Sequence, residues 1–128
     1  MFKIETGIDL VEIARLSELE ERIRLRFCAR VFTEAELAES KNRHEHLAGL
    51  FAAKEAAAKA LGTGIGQVHW HELEILKDEA GKPHLHLHGA AAQLAQQCGW
   101  VFWSVSITHT VTTAAAVVTA LLAPQGQK

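Results

Sequence analysis

The chain has little of what would tie it to the exterior of a cell or to a membrane. It holds two cysteines, Cys28 and Cys98, far apart and in no CxxC pair. That excludes a disulfide framework and predicts free thiols in a reducing compartment. The opening run MFKIETGIDLVEI mixes charges into its apolar residues, so no secretory signal is expected. No stretch reaches the length of a membrane span. The most apolar one, residues 113–123, is short, and its alanine and β-branched content suits a buried strand. Net charge is −2 with neutral histidines, so no global basic field recruits nucleic acid or an anionic membrane, although a local basic patch stays open. Repeats, linkers and low-complexity tracts are absent. One soluble, cytoplasmic domain over residues 1–123 is expected, with a disordered tail at 124–128.

What is present suits such a domain. Hydrophobic residues make up 48% and charged ones 22%, and at this length roughly two-thirds of the unfolded surface can be buried. Residues 2–9 alternate, with Phe2, Ile4 and Ile8 on one side of a strand and Asp9 at its end on the other. Residues 12–28 carry a helical stripe of Ile13, Leu16, Leu19, Ile23 and Phe27. Thr33 and Glu36 form a capping box, with Phe32 and Leu37 as its hydrophobic staple, so a short helix begins at Glu34. A polar joint at 40–44 leads into an alanine-rich helix over 45–61. The run Gly62-Thr63-Gly64-Ile65-Gly66 ends it, because glycine supplies the positive φ needed past a helix terminus. Strands over 70–77 and 84–88 flank the turn Asp78-Glu79-Ala80-Gly81. A helix of about ten residues starts at Gly89, and strands over 101–108 and 111–122 close the chain. Trp70, Trp100 and Trp103 flank strands and read as core or interface. The predicted class is α+β, a single domain with a largely antiparallel sheet packed with one long and several shorter helices.

The long helix carries the most informative pattern. Leu47, Leu50, Phe51, Ala58 and Leu61 gather on one face, and Ala48, Ala52, Glu55, Ala56 and Lys59 on a neighbouring one. The second face is either an exposed alanine surface with an i,i+4 ion pair, or a close-approach surface offering an oxygen ligand and a mobile cation. Lys54 falls among the apolar residues: it snorkels out along its methylenes, or this face meets a partner subunit. Asp9 is either an N-cap or, with Glu55, the carboxylate pair that magnesium takes when phosphate oxygens and water complete its shell. Gly62-Thr63-Gly64 can present bare backbone N–H groups, though its spacing matches no nucleotide-binding fingerprint. His109 sits at a strand-to-strand turn.

Taken together, Gly7-Ile8-Asp9-Leu10-Val11-Glu12-Ile13, Phe32-Thr33-Glu34-Ala35-Glu36-Leu37 and Phe51-Ala52-Ala53-Lys54-Glu55-Ala56-Ala57-Ala58-Lys59-Ala60 with Gly62-Thr63-Gly64 closely resemble bacterial holo-acyl-carrier-protein synthases. Gly81-Lys82-Pro83, Leu85, Leu87, Gly89 and Ser106-Ile107-Thr108-His109-Thr110 continue the match, which spans residues 4–118. The resemblance implies a 4′-phosphopantetheinyl transferase-like fold. It also implies transfer of the phosphopantetheine arm of coenzyme A to a carrier-protein serine, releasing adenosine 3′,5′-bisphosphate. It makes Asp9 and Glu55 the magnesium ligands, with Lys59 on the pyrophosphate of coenzyme A. Gly62, Thr63 and Gly64 would lie along that cofactor, with His109 near its phosphates. It further implies a homotrimer with sites between subunits, which would cover the apolar face around Lys54. A non-catalytic module of the same fold, binding coenzyme A or a carrier protein, is the competing expectation.

Two departures stand out. Leu50 occupies a position where that family usually has arginine, and Thr110, after the motif histidine, offers no carboxylate. The serine proton therefore has Glu55 or a metal-bound water as acceptor. On the first helix Arg15, Arg22 and Arg26 fall within about 40° of one another, with Arg30 nearby. This stripe is either a solvated edge balanced by Glu12 and Glu18, or the docking face for an acidic acyl carrier protein. His84, His86 and His88 alternate along one strand and could suggest zinc, but an exposed strand face is the simpler reading.

Overall fold

The computed structural model describes residues 1–124; the predicted disordered tail falls almost wholly outside these. Strand β1 (Lys3–Glu12) leads through a single turn, α1 (Ala14–Ser17), to helices α2 (Glu21–Val31), α3 (Glu34–Ser40) and α4 (His44–Leu61). A hairpin of β2 (Leu73–Lys77) and β3 (Pro83–Leu87), helix α5 (Gly89–Cys98), and strands β4 (Trp100–His109) and β5 (Thr113–Leu122) complete the chain. The α+β class holds, with every ladder antiparallel among the described residues. The strands divide into a three-stranded sheet ordered β1-β5-β4 and the separate β2-β3 pair.

Helix α4 is the axis of the fold. Ala48, Ala52, Ala53, Ala56 and Ala57 are wholly buried. The helix packs on β1 and β5, and Ala114, Ala116, Val118 and Ala120 alternate inward along β5. Alanine on both surfaces lets helix and sheet backbones come close. The exposed alanine surface considered above therefore does not exist, because the small residues lie under the sheet. At the far end Gly62, with φ 79°, turns the chain out of the helix. The Gly62 and Thr63 N–H groups close back on the carbonyls of Lys59 and Ala58.

The first helix departs from expectation. β1 runs on to Glu12, and the helical stripe is broken at 18–20 because the Glu20 carboxylate caps a new helix. It accepts from the N–H groups of Arg22 at 2.7 Å and Ile23 at 3.3 Å. Only Ile13 and Leu16 of the early stripe are buried, while Ile23 is exposed. The α3 cap forms as predicted: Thr33 Oγ1 accepts from Glu36 N–H, and Glu36 Oε1 accepts from Thr33 N–H.

Lys54 neither snorkels nor faces a partner. It is fully buried and paired with the equally buried Glu36 at 2.9 Å. It also donates to the carbonyls of Trp70 at 2.9 Å and Leu73 at 2.7 Å. The second Glu36 oxygen accepts from Ile75 N–H. One charge pair thus ties α3, α4 and the start of β2 together. It remains tolerable in the core because each member is hydrogen-bonded as well as paired.

Candidate active site

Sheet alternation turns Gly7, Asp9 and Val11 of β1 toward α4 and leaves Phe2, Ile4, Ile8 and Leu10 exposed on the outer face. Gly7 is where strand and helix touch. A Cβ there would lie 2.8 Å from Ala60 N and closer still to Ala56 O. Only glycine permits this approach, and it brings Asp9, two residues on, to the edge of α4 where Glu55 and Lys59 emerge.

Lys59 Nζ lies 3.1 Å from Asp9 Oδ1 and donates to the Ile8 carbonyl at 2.9 Å. Burial, and then the negative charge of Asp9, push the Glu55 carboxyl above the usual carboxylate range; Lys59 and Arg15 pull it back. The charges of Asp9 and Glu55 thus oppose one another, and a cation between them would relieve both. Among the described residues no group of three or more histidines, cysteines and acids is placed to hold a metal. The site offers two carboxylates, which suits a hard cation whose remaining positions are filled by substrate oxygens and water.

A family model described as the 4′-phosphopantetheinyl transferase superfamily matches residues 5–116. The chain belongs to this superfamily. It is 54% identical over 114 residues to a holo-[acyl-carrier-protein] synthase of Solidesulfovibrio magneticus, covering 88% of this chain and 93% of that protein. It is 48% identical over 120 residues to the one from Herpetosiphon aurantiacus, covering 88% and 94%. The crystal structure of Helicobacter pylori holo-[acyl-carrier-protein] synthase in complex with coenzyme A is similar at a TM-score of 0.81 and 32% identity, over 90% of this chain and 98% of that one.

Within this member of the superfamily, the remaining predicted residues fall into separate places. Gly62, Thr63 and Gly64 follow Lys59 directly, and a Cβ at Gly62 or Gly64 would meet nothing within 4 Å. This loop is open along its length. His109 ends β4 opposite Ala114, with the whole of β5 between it and β1. It lines a cavity of ~280 Å³ shared with Leu50, His46, Arg43 and Lys77 at the other end of α4. Nine residues of helix, about 13 Å, separate His46 from Glu55. Across the sheet two strand spacings, about 10 Å, separate His109 from Val11 of β1, so His109 does not touch the acid pair within one chain. His46 Nε2 is buried there without a hydrogen-bond partner among the described residues, and burial, then Lys77 and Arg43, lower its pKa below the usual imidazole range.

The arginine stripe is divided. Arg15 leaves it: its guanidinium carbon lies 5.6 Å from the centroid of the Phe51 ring, one helical turn before Glu55. Arg22 and Arg26 stay exposed on α2, where Arg26 and Arg30 flank a groove floored by Ile23 and Phe27. Sequence reasoning missed Arg15 as a site cation because a continuous helix was assumed. It also saw in Gly7 only a neighbour of Asp9. His84 and His88 pair with Asp78 at 2.8 Å and Glu74 at 3.0 Å. Alternate strand residues stand about 7 Å apart, and the three histidines form no metal-holding group among the described residues.

Proposed function

We propose that the chain transfers the 4′-phosphopantetheine arm of coenzyme A to a serine of an apo acyl carrier protein, releasing adenosine 3′,5′-bisphosphate. The observation that carries this reading is the meeting of Asp9, Glu55 and Lys59 at the Gly7 contact. Asp9 and Glu55 would hold magnesium, which would supply charge neutralisation to the pyrophosphate and the departing bisphosphate. Lys59 supplies a second positive charge one helical turn from Glu55. Gly62, Thr63 and Gly64 run beside the cofactor with no side chain in the way. Glu55 is the chain's own acceptor for the serine proton, by its place beside Asp9 and Lys59.

Two parts of the reading concern partners. Arg22 and Arg26, with the groove beside Phe27, receive an acidic carrier protein. A second copy of the chain covers the outer sheet face, where Ile4, Ile8, Leu10 and Phe102 are 68%, 63%, 69% and 72% exposed. A homotrimer closed through this face lets a neighbouring subunit's cavity, with its His109, stand beside the acid pair. The face around Lys54 has no such role, because it is filled from within the chain.

The test is incubation of the protein with coenzyme A, magnesium and an apo carrier, followed by intact mass. The carrier gains one phosphopantetheine, and chelation of the metal prevents it. Binding of coenzyme A with no mass gain on several carriers would instead identify a non-catalytic module.

A further inference from the structure

The lysine at the site is already engaged before any substrate arrives. Lys59 Nζ sits on Asp9 Oδ1 at 3.1 Å and on the Ile8 carbonyl at 2.9 Å. The Asp9 side chain is only 18% exposed while that of Lys59 is 54% exposed, so the ammonium reaches in from solvent and caps a largely buried carboxylate. Glu55 makes no hydrogen bond to any described residue, and Lys59 is placed on Asp9 and the Ile8 carbonyl rather than on it. One acid of the pair is neutralised and the other is not.

A divalent cation taking both carboxylates would share the Asp9 carboxylate with the ammonium that already sits on its Oδ1. An ammonium and a divalent cation within a few ångströms repel, so each weakens the other's hold on Asp9 and the metal, carrying twice the charge, favours departure of the lysine. Lysine is suited to leaving: its charge is a point on a flexible four-carbon stem, and its root on α4 stays fixed while the tip swings. Once off Asp9, Nζ stays one turn from Glu55, beside the open Gly62–Gly64 loop, facing whatever anion is there.

We propose that Lys59 is the resident counter-ion of Asp9 and is exchanged for the divalent metal, so that metal binding releases it to the phosphates of the incoming substrate. This rests on the reading of Asp9 and Glu55 as the metal pair. Two consequences follow. Lys59 opposes metal binding when the metal is alone. Metal and phosphate-bearing substrate favour one another, each raising the affinity of the other by the same factor.

The test is the affinity for manganese alone, read by electron paramagnetic resonance of the free ion, in the wild type, Lys59→Gln, Lys59→Arg and Asp9→Asn. Removing a partly exposed pair corresponds to about a two- to fivefold change in affinity. Lys59→Gln is expected to bind manganese more tightly than wild type by that factor. Lys59→Arg, which keeps the charge, is expected to stay at or below the wild-type affinity. Adding coenzyme A should tighten manganese binding in the wild type and tighten it less in Lys59→Gln. If wild type binds manganese, Asp9→Asn loses it and Lys59→Gln leaves it unchanged or weakened, the metal pair stands and the exchange is refuted. If neither wild type nor Lys59→Gln binds manganese, both fall.

Discussion

Replacing Gly7 by alanine adds one methyl group at the point where β1 meets α4. Its Cβ would stand 2.8 Å from Ala60 N and nearer to Ala56 O, against the 3.4 Å at which ordinary contact begins. Both obstacles are helix backbone, so no side chain can swing aside, and the strand must retreat. Overpacking of this kind costs about 1–3 kcal/mol, and a rigid backbone clash belongs at the upper end. For a domain of this size that corresponds to a fall in Tm of roughly 6–15 °C. Asp9 moves with the strand, and about 1 Å of misplacement at a reacting centre is worth roughly 10²-fold in rate. Transfer should therefore fall by about that factor at a temperature where the variant is still folded. Calorimetry and a carrier-modification assay read the two effects on one sample. Gly64→Ala is the control, because a Cβ there meets nothing within 4 Å. A Gly7→Ala protein that melts within about 2 °C of wild type and transfers normally would refute the close-approach account.

Other expectations follow from the same geometry. Glu55→Gln should melt higher than wild type near pH 8 without metal, since the raised carboxyl stabilises the fold only while protonated and that contribution is lost as pH rises through its folded pKa. The gap should close below about pH 4, in calorimetry at both values. Lys54→Met leaves Glu36 charged and alone in the core and should cost about 3–5 kcal/mol in urea unfolding; Lys54→Met with Glu36→Gln should recover part of that. Arg22→Glu with Arg26→Glu should raise KM for the carrier and leave the pH profile in place. Arg15→Gln should instead raise the pH at which Glu55 loses its proton in the metal-free protein, read by NMR of its carboxyl carbon, since Arg15 lowers the Glu55 pKa.

The elements were legible where local chemistry acts alone. The Thr33–Glu36 box and the glycines after Leu61 place helix ends in the sequence itself, and the structure agrees within a residue. Strand alternation placed Asp9 opposite Ile4 and Ile8. It could not say which side is the core, and the apolar side turns out to be the exposed one. The break between α1 and α2 was hidden because Glu20 caps from within a run that keeps helical spacing. Lys54 announced itself by lying in an apolar stripe, but its partner Glu36 was already explained as a capping residue. Nothing in a sequence reveals that a capping glutamate also anchors a buried lysine. Helix spacing put Glu55 beside Lys59 and the resemblance tied both to Asp9; the reason they meet, the glycine contact at Gly7, came from the structure. His109 belongs to the same motif set yet lies beyond β5, a separation set by strand order.

The measurement that bears most directly on the account is the intact mass of an apo carrier protein after incubation with coenzyme A and magnesium, using wild type, Asp9→Ala and Glu55→Ala in parallel. The account predicts one added phosphopantetheine with wild type and an unmodified carrier with either variant, each variant remaining folded. Undiminished modification by Asp9→Ala or Glu55→Ala would contradict it.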